Sequence, residues 1–119
     1  MANPFCHVEL STNDVSKAKQ FYSQLFDWKL DDMPMLEGAY TMIGVGEGTG
    51  GGMTKAAMPD SPPAWMPYVL VDDIQASTAK AKALGATVVV EPMEVTDAGW
   101  LSIFVDPTGA KIGLWKAKS

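Results

Sequence analysis

The sequence predicts an α+β fold made of two copies of a βαβββ unit. Three observations carry that prediction. The first is the stretch His7-Val8-Glu9-Leu10-Ser11, whose apolar and polar residues alternate as in a strand with two differently used faces. It runs directly into Thr12-Asn13-Asp14, which supplies helix-capping chemistry, and then into a helical pattern. The second is an echo of this stretch, Pro67-Tyr68-Val69-Leu70-Val71-Asp72-Asp73, again followed by a helical pattern. The third is that the echo is ordered. A shift of 59 places Asp14 on Asp73, Val15 on Ile74 and Leu25 on Leu84; a shift of 60 places Tyr40 on Trp100, Ile43 on Ile103 and Val45 on Val105. Single matches of this kind are cheap, but the ordered set points to an internal duplication.

The elements follow in order. The first strand runs from about Phe5 to Ser11. In the helix after it Val15, Ala18, Tyr22 and Leu25 recur at spacings of three and four, with Phe21 beside them, which makes a core-facing stripe. Thr12 or Asn13 is the expected N-cap, and Asp14 in the first turn suits the helix dipole. Trp28 to Leu30 opens a second strand, weakened beyond by Asp31-Asp32 and Pro34, and Tyr40 to Val45 forms a third. The glycine-dense segment from Gly46 to Gly52 marks a turn into a short strand near Met53; it lacks the lysine and hydroxyl of a phosphate-binding loop. Pro59, Pro62 and Pro63 mark residues 55–63 as a linker.

The second copy opens with the strand Trp65 to Val71. Asp72-Asp73 caps a helix whose inner stripe is Ile74, Ser77, Ala81 and Leu84, ended by Gly85. Thr87 to Val90 is a β-branched strand, and Glu91 to Val95 with Asp97 reads as an acidic rim loop. Gly99 to Val105 is a further strand, Asp106-Pro107-Thr108-Gly109 a turn, and Lys111 to Trp115 the closing strand. One domain, 1–119, is therefore expected, with module 1 at about 3–56 and module 2 at about 64–117.

Composition narrows the function. The chain has 119 residues, 47% of them apolar, enough for a sizeable core. Its net charge of −5 argues against nucleic-acid or acidic-membrane partners, which require a basic patch. No apolar run approaches the roughly 20 residues that span a bilayer. Met1-Ala2-Asn3-Pro4 shows no signal-peptide pattern, and the single Cys6 excludes an intrachain disulfide, so a cytoplasmic location is expected.

The residues His7-Val8-x-Leu10 with Asp14, Phe21-Tyr22 with Leu25-Phe26-x-Trp28, Val71-Asp72-Asp73 with Leu84-Gly85-Ala86, and Phe104-x-Asp106-Pro107-x-Gly109 make the chain recognisable. Over nearly its whole length it resembles the vicinal oxygen chelate superfamily, the glyoxalase, bleomycin-resistance and extradiol-dioxygenase group. The resemblance implies two βαβββ modules forming a curled, barrel-like mixed sheet around a cup, with the helices outside. It also implies a divalent metal in active members, held by one residue from the first and one from the last strand of each module. Carried onto this chain, those positions fall on His7, Met53, Met66 and Gly113.

Only His7 in that set suits a divalent first-row metal, whereas a catalytic site needs about three protein ligands. No cofactor is therefore predicted, and a metal is disfavoured; His7, with Glu9 two residues along the same face, would take part only in a degenerate site. With Val8, Leu10, Val69 and Val71 toward the helices, His7, Glu9, Ser11, Met66, Tyr68 and Leu70 look into the cup. His7, Glu9 and Tyr68 are the candidate acid–base residues, although for His7 the favoured reading is a pocket-wall histidine held by one hydrogen bond. Met53, Met66, Tyr68, Trp100 and Trp115 are the candidate ligand-binding residues, or else simple core. Two functions fit. One is a metal-free cup that binds a small organic molecule; the other is a lyase, isomerase or dioxygenase-like enzyme, metal-dependent through His7 and Glu9 or metal-free. A homodimer is expected for either.

Overall fold

The computed structural model describes residues 2–35, 38–56, 62–95 and 97–118. The chain is α+β, and its elements occur as β1 (Phe5–Thr12), α1 (Val15–Leu25), β2 (Lys29–Met35), β3 (Gly38–Gly44), β4 (Gly51–Lys55), β5 (Ala64–Leu70), α2 (Ile74–Ala83), β6 (Thr87–Val95), β7 (Gly99–Val105) and β8 (Lys111–Ala117). The order βαβββ is thus repeated, as the sequence echo predicts. The chain forms two compact units, His7–Met66 and Met1–Cys6 with Pro67–Ser119. Of the linker expected at 55–63, residues 57–61 lie outside the described residues.

In the first unit β1 pairs in parallel with β4, β4 antiparallel with β3, and β3 antiparallel with β2. Leu10, Ile43 and the fully buried Met53 form its core, with Val15, Ala18, Tyr22, Trp28, Leu30 and Val45 packed around them. The registers Leu10↔Met53, Thr41↔Met53 and Leu30↔Ile43 set these residues on the α1 side of the sheet. The N-cap of α1 is Asp14, not the expected Thr12 or Asn13: its carboxylate accepts from Lys17 N at 2.9 Å, which places it just before the first helical turn. Phe21 and Leu25, expected on the inner stripe, are more than half exposed. They lie four residues apart along one outer edge of the helix, and Leu25 is its last residue. Buried Thr41 gives its hydroxyl to Asp32 at 2.7 Å, and Lys19 closes the group with an ion pair to Asp32 at 2.8 Å. The hydrogen bonds from Lys19, then from Thr41, hold the Asp32 carboxyl below its ordinary pKa.

In the second unit β5 pairs in parallel with β8, β8 antiparallel with β7, and β7 antiparallel with β6. Val71, Ile74 and Leu114 form the core, with Val69, Trp100 and Phe104 around them. Asp73 caps α2 through Ala76 N at 3.0 Å. At the other end Ala86 N–H reaches Ala81 O and Gly85 N–H reaches Lys82 O, with Gly85 at φ +105°. That is the left-handed termination a glycine allows. Thr78, absent from the expected stripe, is buried: it donates to Ile74 O at 2.6 Å and pairs with Ser102 Oγ at 2.8 Å. Leu84 is exposed instead, as the cap residue outside the last helical turn.

Two further expectations are corrected. Glu91 to Val95 is not a loop but the second half of β6, carried past Pro92 by register shifts between Val88 and Val90 and between Val90 and Met93. Such bulges absorb a proline that a regular ladder would not. Lys116 and Ala117 extend β8 beyond Trp115, where the closing strand was expected to end. The turn at Asp106 forms as predicted: Oδ1 accepts from Thr108 N at 2.8 Å, from Thr108 Oγ1 at 2.7 Å and from Ala110 N at 3.0 Å.

Candidate functional site

Because β1 alternates, the face opposite Leu10 carries His7, Glu9 and Ser11. The β1–β4 register sets Glu9 beside Gly52 and Ser11 beside Thr54. On β3, Tyr40 lies on this same face, and its ring covers Gly52: a Cβ there would run into the Tyr40 ring and hydroxyl. The glycine is what lets the ring lie flat on the strand, and that ring position joins the two polar residues of β1. Tyr40 Oη donates to Glu9 Oε1 at 2.9 Å. His7 Nε2 lies 2.7 Å from the same Tyr40 Oη, with the two rings 23° from parallel. A phenol has one proton, and here it is directed at a carboxylate, so His7 Nε2 must carry the hydrogen of the other bond. The structure thus joins His7 and Glu9, which share a face of β1, through a third residue. The residue that connects them, Tyr40, is one that sequence reasoning placed only at the start of a strand.

Burial pushes the His7 imidazole below its ordinary pKa. The ring is accordingly neutral near pH 7. The linkage has a definite sign. The unfolded chain takes up this proton near the ordinary histidine value of about 6.5 and the folded chain only at lower pH. The stability contribution is complete above about pH 6.5 and is lost as pH falls from there toward the folded value. His7 is the only histidine, so an NMR titration of its C2 proton reads this directly; a midpoint above 6.5 would contradict it.

In the second unit the equivalent device recurs on different strands. Tyr68, almost fully buried, lies over its register partner Gly113, where a Cβ would run into the ring. Trp115 lies on the same face through its pairs with Leu70 and Leu101, and is half-buried. Met66, half-buried on β5, is two residues before Tyr68 on the same side of that strand.

Two expected ligand-binding residues are elsewhere. Met53 does not share the His7 face; it pairs with Leu10 and is buried in the α1-side core. Trp100 likewise packs on the α2-side core, with the ammonium groups of Lys116 and Lys118 5.7 and 5.4 Å from its ring centre. The Met53 error is one of register. The two registers Leu10↔Met53 and Val69↔Leu114 make Met53 the counterpart of Leu114, and Gly52 the counterpart of Gly113.

A two-module βαβββ chain with a histidine at the start of its first strand defines a class, and the comparisons with known proteins supply the family. The family profile described as Glyoxalase/Bleomycin resistance protein/Dioxygenase superfamily matches residues 5–114. The chain belongs to that superfamily, which bears out the vicinal oxygen chelate resemblance. It is 40% identical over 115 residues to the "Putative glyoxylase CFP32" of Mycobacterium bovis, covering 92% of this chain and 44% of that protein. It is 27% identical to the "Anthracycline biosynthesis protein DnrV" of Streptomyces peucetius, covering 91% and 45%. The chain therefore spans less than half the length of these curated relatives. Among solved structures, a variant of Streptomyces coelicolor methylmalonyl-CoA epimerase in complex with 2-nitronate-propionyl-CoA superposes with a TM-score of 0.77. The identity is 13%, with 100% of this chain and 97% of that one covered, which is a likeness of fold.

Among the described residues, the positions at which the family implies a divalent metal do not form a fitting donor set. With the register corrected, the last-strand positions are Gly52 and Gly113, and at each a tyrosine ring fills the space a donor side chain would need. The first-strand positions are His7, engaged with Tyr40, and Met66, whose thioether suits a soft ion. Among the described residues no group of three His, Cys, Asp or Glu is placed to hold a metal. Nor, among them, is any helix long and apolar enough to cross a membrane.

Proposed function

We propose that this protein binds a small organic molecule on the sheet face carrying His7, Tyr40 and Glu9, and that it does so without the superfamily's divalent metal. The observation that supports this reading is the connected relay of imidazole, phenol and carboxylate where a metal ligand set would otherwise stand. Such a relay presents matched donors and acceptors to a carbonyl or hydroxyl group. The flat Tyr40 ring and its neighbour Met42 on the same strand face offer apolar contact. The curated relatives' names, a putative glyoxylase and an anthracycline biosynthesis protein, support carbonyl-bearing and aromatic compounds as the class.

The same geometry favours a second reading, a metal-free lyase or isomerase. A phenol held between a carboxylate and a neutral imidazole can pass a proton from one to the other, so His7 and Glu9 would exchange a substrate proton through Tyr40. The proposal includes a cytoplasmic location and a homodimer, the latter supported by the exposed Phe21, Leu25 and Phe26 in and just after the last turns of α1. Sedimentation velocity at two protein concentrations reads the oligomeric state.

The test uses p-hydroxybenzaldehyde, a flat probe with one carbonyl and one hydroxyl. Its titration is expected to shift the His7 imidazole signals saturably, with EDTA making no difference. Tyr40→Phe removes one hydrogen bond to each neighbour and is expected to weaken the probe about tenfold. Stoichiometric Ni, Zn, Fe or Mn in protein purified without added metal would overturn the metal-free reading. An unresponsive His7 would overturn the site.

A further inference from the structure

The first unit has a second concavity that the relay does not use. It lies on the α1 side of the sheet, and its floor includes Val8, the residue between His7 and Glu9 whose side chain points the opposite way. The volume is about 250 Å³. Ile43 and Val45 continue the floor, and Trp28 and Trp65 form two walls. The two indole rings stand 77° apart with centroids separated by 6.3 Å, an edge-to-face contact of the kind aromatic rings prefer. Trp65 is held in place by its Nε1–H donating to Tyr22 Oη at 3.3 Å and by an edge contact with the Tyr22 ring.

The remaining wall is bare backbone at Gly50 and Gly51, and it has to be. A Cβ at Gly50 would come within 2.7 Å of Ile43 O, and one at Gly51 would run into the carbonyl of Val8. The strand cannot fill this space with a side chain of its own. Among the lining residues Thr49 is the one polar side chain apart from the indoles, and none is charged.

We propose that this cavity is a second small-molecule site, one that takes a neutral, planar, single-ring compound. An apolar cavity of about 150 Å³ already accommodates benzene, whereas drug-sized ligands occupy roughly 300 Å³ or more, so the space fits one ring with a small substituent. Perpendicular indoles select a flat aromatic over a branched aliphatic group. The uncharged lining selects against carboxylates and ammonium groups, which would be buried without a partner. The site is separate from the relay because β1 lies between them, with Val8 on one face and His7 and Glu9 on the other.

The probe is p-cresol, titrated into the full chain carrying 13C-labelled Val and Ile methyl groups. Saturable shifts at Val8, Ile43 and Val45, with quenching of indole fluorescence, are the expected result. Charged p-hydroxybenzoate is expected to bind about tenfold more weakly or worse. Val45→Phe fills the cavity and should abolish the response. Should that variant fail to fold, Trp65→Ala removes one wall at a position 38% exposed and should weaken p-cresol while the fold persists. Persistence of the His7 response to p-hydroxybenzaldehyde in either variant separates this site from the relay. A p-cresol response confined to His7, or no saturation into the millimolar range, would overturn the proposal. Methyl shifts that follow protein concentration rather than p-cresol would overturn it in favour of a second copy of the chain as the occupant.

Discussion

Met53→Ala is expected to lower the folding free energy by about 2–5 kcal/mol, the range for truncating a large buried side chain. Met53 has no exposed surface and sits between Leu10 and Ile43, so its removal leaves a cavity in the core that holds α1 against the sheet. Met53→Leu keeps most of the volume and should cost less than about 1.5 kcal/mol. Urea denaturation of both variants makes the comparison. The result also discriminates between two assignments of this residue. If Met53 lined a binding surface, Met53→Ala would weaken p-hydroxybenzaldehyde while barely moving the denaturation midpoint; that pattern would contradict the core assignment.

Gly52→Ala, one residue earlier, should do the reverse. The added methyl group collides with the Tyr40 ring and hydroxyl, which are the far end of a side chain and can swing away. Displacing the ring breaks the hydrogen bonds to His7 and Glu9 together. The expected outcome is loss of the His7 response to the aldehyde probe and a rise of the His7 pKa toward its ordinary value, because the ring's covering is gone. The cost in stability should stay near the 1–3 kcal/mol typical of overpacking. Gly51→Ala provides the contrast. There the obstacle is the Val8 carbonyl, a backbone atom inside the β1–β4 ladder, so the strand pairing itself must give. A Gly52→Ala protein that keeps both the low His7 pKa and full probe binding would refute the role given to Tyr40.

The architecture was legible because its signals are redundant. Each helix follows an alternating strand, Asp73 caps the second as expected, the cap of the first falls on Asp14 just past the expected Thr12 or Asn13, and the turn at Asp106 is specified by Pro107 and Gly109. The candidate site was half legible. His7 and Glu9 share a face by parity alone, and the structure joins them. Tyr40 could not be connected to them from sequence, because the contact crosses from β3 to β1 over β4 and depends on how those strands pair. The Met53 error has the same origin. A run of glycines carries no alternation of apolar and polar residues, so nothing in it shows which position faces the core. With no side chains to read, the neighbouring methionine looked like the facing residue, one place out. Trp100 was misplaced by parity in the same way, since a large aromatic residue serves either face of a strand. Exposure of Phe21, Leu25 and Leu84 was not foreseeable from spacing, which tells where a side chain points but not how far the sheet extends beneath it.

The two tyrosine-covered glycines bear on how readily this chain could change its chemistry. A carboxylate introduced at Gly52 or Gly113 would meet an aromatic ring already lying in its place. A donor at either position comes only with displacement of the ring opposite, which at Gly52 also breaks the hydrogen bonds to His7 and Glu9. Each last strand is thus closed by a pair of residues acting together, and altering one of them displaces the other. Such a paired arrangement makes the present state hard to leave by single steps, whatever advantage a metal would offer at the end of the path.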